Sequence, residues 1–250
     1  MLLASPSSLP ALRRLLDERF PTAARATGVA LATGVPAIDA AFGGLPRPGL
    51  TEIACTAPSC GSQLLLGQLL HVTREAGLRV ALVDAHDAFD PGSWPAPVLE
   101  HLVWVRARNA LEAMAAADLL VRDANLGLVA LDLRHAAPAE LRRIPPTQWY
   151  RLQRALEPAG LAGVVFTPRP SVPSAQFRLE LSRSHGLAAL SATQPQLTGE
   201  LTPLLLRQRT HASSCRAGSP HPAGERGTTL AAGSAAPPYN DELAGLAATG

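Results

Sequence analysis

No lysine occurs anywhere in these 250 residues; all 22 basic side chains are arginine. The ammonium that a phosphate-binding loop sets against the outer phosphates of a nucleotide is therefore excluded wherever such a loop is sought. The abundance of Ala, Arg, Pro and Gly fits a GC-rich genome as the origin of that bias. Cysteine is scarce. Cys55, Cys60 and Cys215 are odd in number and follow no metal-ligand spacing, which points to a reducing compartment rather than a disulfide framework. No run reaches the roughly 18 apolar residues that a membrane span needs. The start, MLLASPSSLPALRRLL, has no apolar segment of signal-peptide length behind its charges, so a cytoplasmic protein is expected. The net charge of +2 and pI near 8.7 are too mild for a global electrostatic case for nucleic acid or membrane. Gly-x-Gly-x-x-Gly, Gly-x-Ser-x-Gly and His-Glu-x-x-His are all missing, which removes the dinucleotide, hydrolase-elbow and zinc-protease chemistries.

What is present is enough for one sizeable core: 47% of residues are hydrophobic and 17% charged. Residues 1–29 read as an N-terminal helix and linker, 30–210 as one α/β domain, and 211–250 as a disordered tail. In that tail 27 of 40 residues are Ala, Gly, Ser, Pro or Thr, too little apolar bulk to offset ordering entropy. The organising stretch is GLTEIACTAPSCGSQLLLGQLL, from Gly49 to Leu70. An apolar strand, a small-residue loop and a leucine-rich helix follow one another there, the order of a P-loop unit. The loop is Thr56, Ala57, Pro58, Ser59, Cys60, Gly61, Ser62 and Gln63. A working loop reads Gly-x-x-x-x-Gly-Lys-Ser/Thr, with the lysine on phosphate and the hydroxyl on Mg²⁺. Here Thr56 replaces the first glycine, Ser62 the lysine and Gln63 the hydroxyl residue; Gly61 alone survives.

Periodicity places the other elements. Leu9 to Phe20 reads as an amphipathic helix, and Val35, Ile38 and Phe42 recur at helical spacing before Gly43-Gly44. After the loop, Gln63 to Ala76 is helical with Gly77 as its stop, and RVALVD, Arg79 to Asp84, is a strand buried on both faces. His86 to Pro97 reads as loop and Leu102 to Val105 as a short strand. Asn109 begins a helix, with Glu112 three residues later as an approximate capping box. GLVALDL, Gly127 to Leu133, and AGVVFT, Ala162 to Thr167, are further buried strands on either side of helical pieces broken at Pro145-Pro146. Phe177 to Arg183 and Leu204 to Arg209 are added strands. The expected architecture is a mostly parallel, doubly wound α/β sheet flanked by helices, with extra strands at the C-terminal side.

The blocks TGVPAIDAAFGGLPRPGL, ALVDAHDAFDP, LVALDL, QFRLELSRS and LLLRQRT resemble, in this order, the core of RecA-type recombinases over about residues 30 to 210. Within that superfamily the chain looks most like the ImuA group, filed with SulA-like proteins. The resemblance implies a RecA-like fold and an accessory role in SOS-induced translesion synthesis. It also implies protein partners among the translesion polymerase subunits or RecA itself. Direct DNA contact ranks below these, through a local arginine patch. Two rivals are an ATP-dependent RecA-like enzyme with an atypical loop, and a SulA-like inhibitor of cell division.

The same resemblance assigns positions. Asp132 falls at the Walker B acid, where it either holds Mg²⁺ through water or caps the adjoining loop. His86 stands where the family has its catalytic glutamate, and is expected to be a partly solvated loop histidine. Thr167 falls at the polar sensor, and Arg207 and Arg209 at a basic pair that either meets phosphate or is simply solvated. Asp84, His86, Asp87 and Asp90 are expected to form a solvated acidic loop rather than a metal site. Taken together, residues 56–63 and Asp132 are expected to be a vestigial nucleotide site. It would have no catalytic residue and no metal, with at most weak ATP binding at the helix N-terminus.

Overall fold

The computed structural model describes residues 30–123 and 125–209. The expected helix at Leu9 to Phe20 and the tail from His211 lie outside them. Seven strands form one sheet: β1 (Gly49–Cys55), β2 (Arg79–Asp84), β3 (Leu102–Arg106), β4 (Leu126–Asp132), β5 (Ala162–Thr167), β6 (Phe177–Leu181) and β7 (Leu204–Gln208). Their order is β3-β2-β4-β5-β1-β6-β7. Pairings are parallel throughout except the last, where β7 runs antiparallel to β6. The α/β class and the added C-terminal strands are those expected from the sequence.

The continuous apolar runs have a simple cause: helices cover both faces, so successive side chains are buried on alternate sides. Val80, Leu82, Leu128, Ala130, Val164 and Phe166 join one core with α1 (Pro36–Phe42) and α2 (Ser62–Glu75). Ala81, Val83, Val129, Leu131 and Val165 join the other, with α4 (Ala110–Leu120), α5 (Pro138–Arg142) and α6 (Pro146–Ala159). On α6 the inner stripe is Trp149, Leu152 and Leu156. Asn109 caps α4 as expected, its side-chain oxygen accepting from Glu112 N at 2.9 Å. Gly77, at φ 64°, ends α2 and turns the chain into β2.

Local differences from the sequence reading have local reasons. The segment read as loop from His86 to Pro97 holds a 3₁₀ turn at Pro91–Ser93, capped by Asp90, and the start of α3 (Ala96–Leu99). Its Trp94 ring lies against Gly67 of α2, where a side chain would overlap it. The strand expected from Phe177 to Arg183 ends at Leu181, and a 3₁₀ segment (Leu187–Ser191) and α7 (Gln194–Gly199) follow it. α7 opens on a capping box in which Gln196 Oε1 accepts from Thr193 N at 2.8 Å. No helix among the described residues is long and apolar enough to cross a membrane.

Candidate functional site

The loop from Thr56 to Gln63 leaves the C-terminal end of β1 and enters α2, at the end of the sheet where parallel α/β folds place ligands. Its backbone turns through Ser59 at φ 49° and Gly61 at φ 82°, and Leu65 N donates to Gly61 O at 3.0 Å to open the helix. Gly61 is thus needed for its left-handed conformation.

Each replaced position has found a partner within the protein. Thr56 Oγ1 donates to Glu180 Oε1 at 2.7 Å, and Thr56 N donates to Leu181 O at 3.1 Å. Ser62, at the lysine position, accepts through Oγ from Arg134 Nη1 at 2.8 Å. Gln63 Nε2 donates to Ala88 O at 3.5 Å. Ser59 O accepts from His185 N at 3.0 Å, and the buried Leu201 side chain lies against Gly61 so closely that a β-carbon there would overlap it. Residues between β6 and β7 therefore lie over the loop.

Asp132, at the end of β4, is buried and fully engaged. Arg134 Nε donates to its Oδ1 at 2.8 Å, Arg134 Nη2 pairs with its Oδ2, and Arg134 N donates to Oδ1 at 3.1 Å. Arg134 is itself buried, with its guanidinium 5.6 Å from the centre of the Phe166 ring. Burial works against that charge, but the hydrogen bonds and charge of Asp132 win, and the guanidinium pKa is raised. A cation is thus supplied by the chain between the Walker B position and the lysine position. The residues present do not fit magnesium nucleotide: the carboxylate that would hold the ion's water is saturated by arginine, and no ammonium faces the phosphates.

The other predicted residues are also committed. Asp84 caps the loop after β2, its carboxylate accepting from the N–H groups of His86, Ala88 and Phe89 at 3.2, 3.0 and 2.8 Å. Asp87 pairs with Arg106 at 2.8 Å and Asp90 accepts from Gly92 N and Ser93 Oγ. No group of three or more acidic, His or Cys side chains among the described residues could hold a metal ion. His86 is a partly exposed histidine in the loop after β2, as expected, with its Nε2 3.3 Å from Glu140 Oε2. Burial works against the Glu140 carboxylate, yet Ala110 N–H and His86 outweigh it and hold the pKa below its ordinary value. Thr167 donates to Glu52 Oε1 at 3.0 Å. Arg207 Nη1 donates to Pro173 O at 3.1 Å, so this arginine is tied to backbone instead of simply solvated.

Two residues central to this arrangement were not singled out in the sequence. Arg134 had a visible signal, an arginine two residues beyond a strand-end acid in a chain without lysine. Glu52 had none beyond being a charge inside an apolar strand. Its carboxylate accepts from Arg178 Nε at 2.5 Å and from the Ser171 and Val172 N–H groups, fixing the β5–β6 connection. Positive charge gathers nearby, where Arg142, Arg169 and Arg178 line a cleft of about 430 Å³.

With the loop and the end of β4 in view, comparison with known proteins adds one finding. The chain is 33% identical over 106 residues to protein RecA of Streptomyces venezuelae. That stretch is similar to RecA. The match takes in 41% of this chain and 28% of that RecA, so the chain spans little more than a quarter of the relative's length. No family model matches. The RecA-like similarity and the parallel sheet agree with each other.

Proposed function

We propose that this chain is a non-catalytic RecA-like accessory protein of SOS-induced DNA repair and translesion synthesis, acting through protein contacts. The observation that carries the non-catalytic part is Arg134, which bonds Asp132 and Ser62 at once. Phosphoryl transfer depends on positioned cations and hydrogen bonds, and here those positions are spent on the protein's own side chains. The resemblance to the ImuA group supports the pathway and names the translesion polymerase subunits or RecA as partners. A surface for such contacts is available on β7, the last strand of the sheet, where Leu204, Leu205 and Leu206 are all exposed.

The test has two arms. Purified protein should turn over ATP no faster than buffer, and calorimetry with Mg²⁺ and ATP should give no saturable heat. Steady hydrolysis abolished by Asp132→Ala would overturn the non-catalytic reading. Pull-down against the translesion polymerase subunits, RecA and the tubulin-like division protein should retain one of the first two, with binding lost in Leu205→Asp. Retention of the division protein alone would favour the SulA-like rival.

A further inference from the structure

The cleft of about 430 Å³ beside the β5–β6 connection has no part in the function proposed above. Leu141, Ile144 and Trp149, all buried, close its base, and Pro138, Pro146, Pro170 and Pro173 add apolar walls. Its volume is that of a pocket for a small ligand or a few side chains, for which about 300–1,000 Å³ is typical. Arg142 at the end of α5, Arg169 in the connection and Arg178 on β6 line it, and among the described residues no acidic side chain does.

The arginines differ in what they have left to offer. Arg178 is committed, its Nε donating to Glu52 and its Nη2 to Val172 O at 2.7 Å. Arg142 and Arg169 are exposed and form no ion pair among the described residues. Each guanidinium therefore keeps its charge and its fork of N–H groups for an outside oxyanion. The first turn of α6 adds to them: Pro146 and Trp149 line the same cleft, and that turn of the 14-residue helix has neither a side-chain cap nor an acidic residue. Its partial positive charge is thus unopposed within the helix.

The wall that carries Arg169 is fixed from below. Buried Glu52 accepts from Ser171 N at 2.5 Å and Val172 N at 3.0 Å, and Ser171 Oγ donates to Arg169 O at 2.8 Å. Ser174 Oγ donates to Trp149 O at 2.9 Å and Arg207 Nη1 to Pro173 O at 3.1 Å, which ties the connection to α6 and to β7. A cleft held in this way has little conformational freedom to lose when a ligand enters.

We infer that the cleft is a docking site for a short acidic segment of a partner protein, in which leucine or another apolar side chain stands beside glutamate or aspartate. The unpaired cations match carboxylates, and the apolar walls match the neighbouring side chain. Single-stranded nucleic acid fits less well, because it needs a basic track along its backbone and exposed aromatic faces for its bases. Here Trp149, the ring that lines the cleft, is buried, and the net charge of the chain is only +2. The chemistry of the cleft is the same whether or not the chain serves translesion synthesis, so its test needs no protein of that pathway.

The experiment follows the fluorescence anisotropy of a fluorescein-labelled peptide, Gly-Glu-Leu-Glu-Glu-Leu-Gly, titrated with the full chain. Binding should saturate and weaken as salt is added. The same peptide with glutamine for glutamate should not bind, and one with serine for leucine should bind more weakly. Arg142→Ser and Arg169→Ser should each weaken binding about two- to fivefold, the range for exposed ion pairs. Arg143→Ser removes an exposed arginine that does not line the cleft, and should leave binding unchanged. A labelled oligothymidylate should bind more weakly than the peptide and should not displace it. The peptide comparisons use the unsubstituted chain, so they decide the matter even where an arginine variant folds poorly. Absence of saturation, equal binding of the glutamine or serine peptide, unchanged affinity in both cleft variants, a loss as large in Arg143→Ser, or displacement by oligothymidylate would each overturn the assignment.

Discussion

Arg134 bonds both Asp132 and Ser62, the latter 72 residues from the arginine along the chain, at 2.8 Å to each. These are the two positions at which a phosphate-binding loop meets its Walker B strand. The guanidinium thus ties the end of β4 to the loop that follows β1, and it does so in a buried setting where each bond counts for more than at a surface.

Arg134→Ala should therefore be costly. Removing one partner of a buried pair leaves an uncompensated charge, so unfolding in urea should report a loss of about 3–5 kcal/mol. Arg134→Ala combined with Asp132→Ala should recover a good part of that loss, because the stranded carboxylate is gone. Additive losses in the double variant would show that the two side chains act separately.

Gly67 of α2 faces the Trp94 ring, and a β-carbon would overlap it. Alanine is the better helix former by about 1 kcal/mol, so an open site would be stabilised by Gly67→Ala. Here the overlap dominates, and a net loss of roughly 1–3 kcal/mol is expected from displaced packing. Thermal melts of Gly67→Ala and of Gly67→Ala with Trp94→Leu measure it; the smaller partner should relieve most of the loss.

Asp118 on α4 accepts from Arg151 of α6 and from Arg122. The Arg151 hydrogen bonds, helped by Arg122 and opposed by burial, hold its carboxyl below the ordinary value near 3.8. A carboxylate with a lowered folded pKa stabilises the fold above its unfolded pKa, and that share is lost as pH falls through the folded one. Asp118→Asn should thus cost on the order of 1 kcal/mol at pH 7, and the gap from the unsubstituted protein should close below about pH 3. Urea melts across that range test it, and a gap that widens towards acid would refute the assignment.

Much of the fold was readable because its physics is local. GLTEIAC, RVALVD, LGLVALD and AGVVFT are too apolar to face water on either side, so a parallel sheet covered by helices follows from them. The cap at Asn109 and the stop at Gly77 were legible for the same reason. The short helices at Ala96–Leu99 and Gln194–Gly199 were not, because they are too short for periodicity to declare them and depend on packing against α2. At the site, the identities of Thr56, Ser62 and Gln63 could be read directly. What fills their places could not, since Arg134, Glu180 and His185 reach the loop only through contacts distant in sequence.

By itself the amino-acid order determined that no ammonium is available to a phosphate, that strand, loop and helix succeed one another at Gly49 to Leu70, and that one α/β core follows. Only the folded arrangement decided that Asp132 spends its carboxylate on Arg134, that Leu201 and His185 lie over the loop, and that Glu52 is paired with Arg178. The reason is range: side-chain chemistry and periodicity act over a few residues, whereas the partner of a buried charge is set by which strand ends and crossings the sheet brings together.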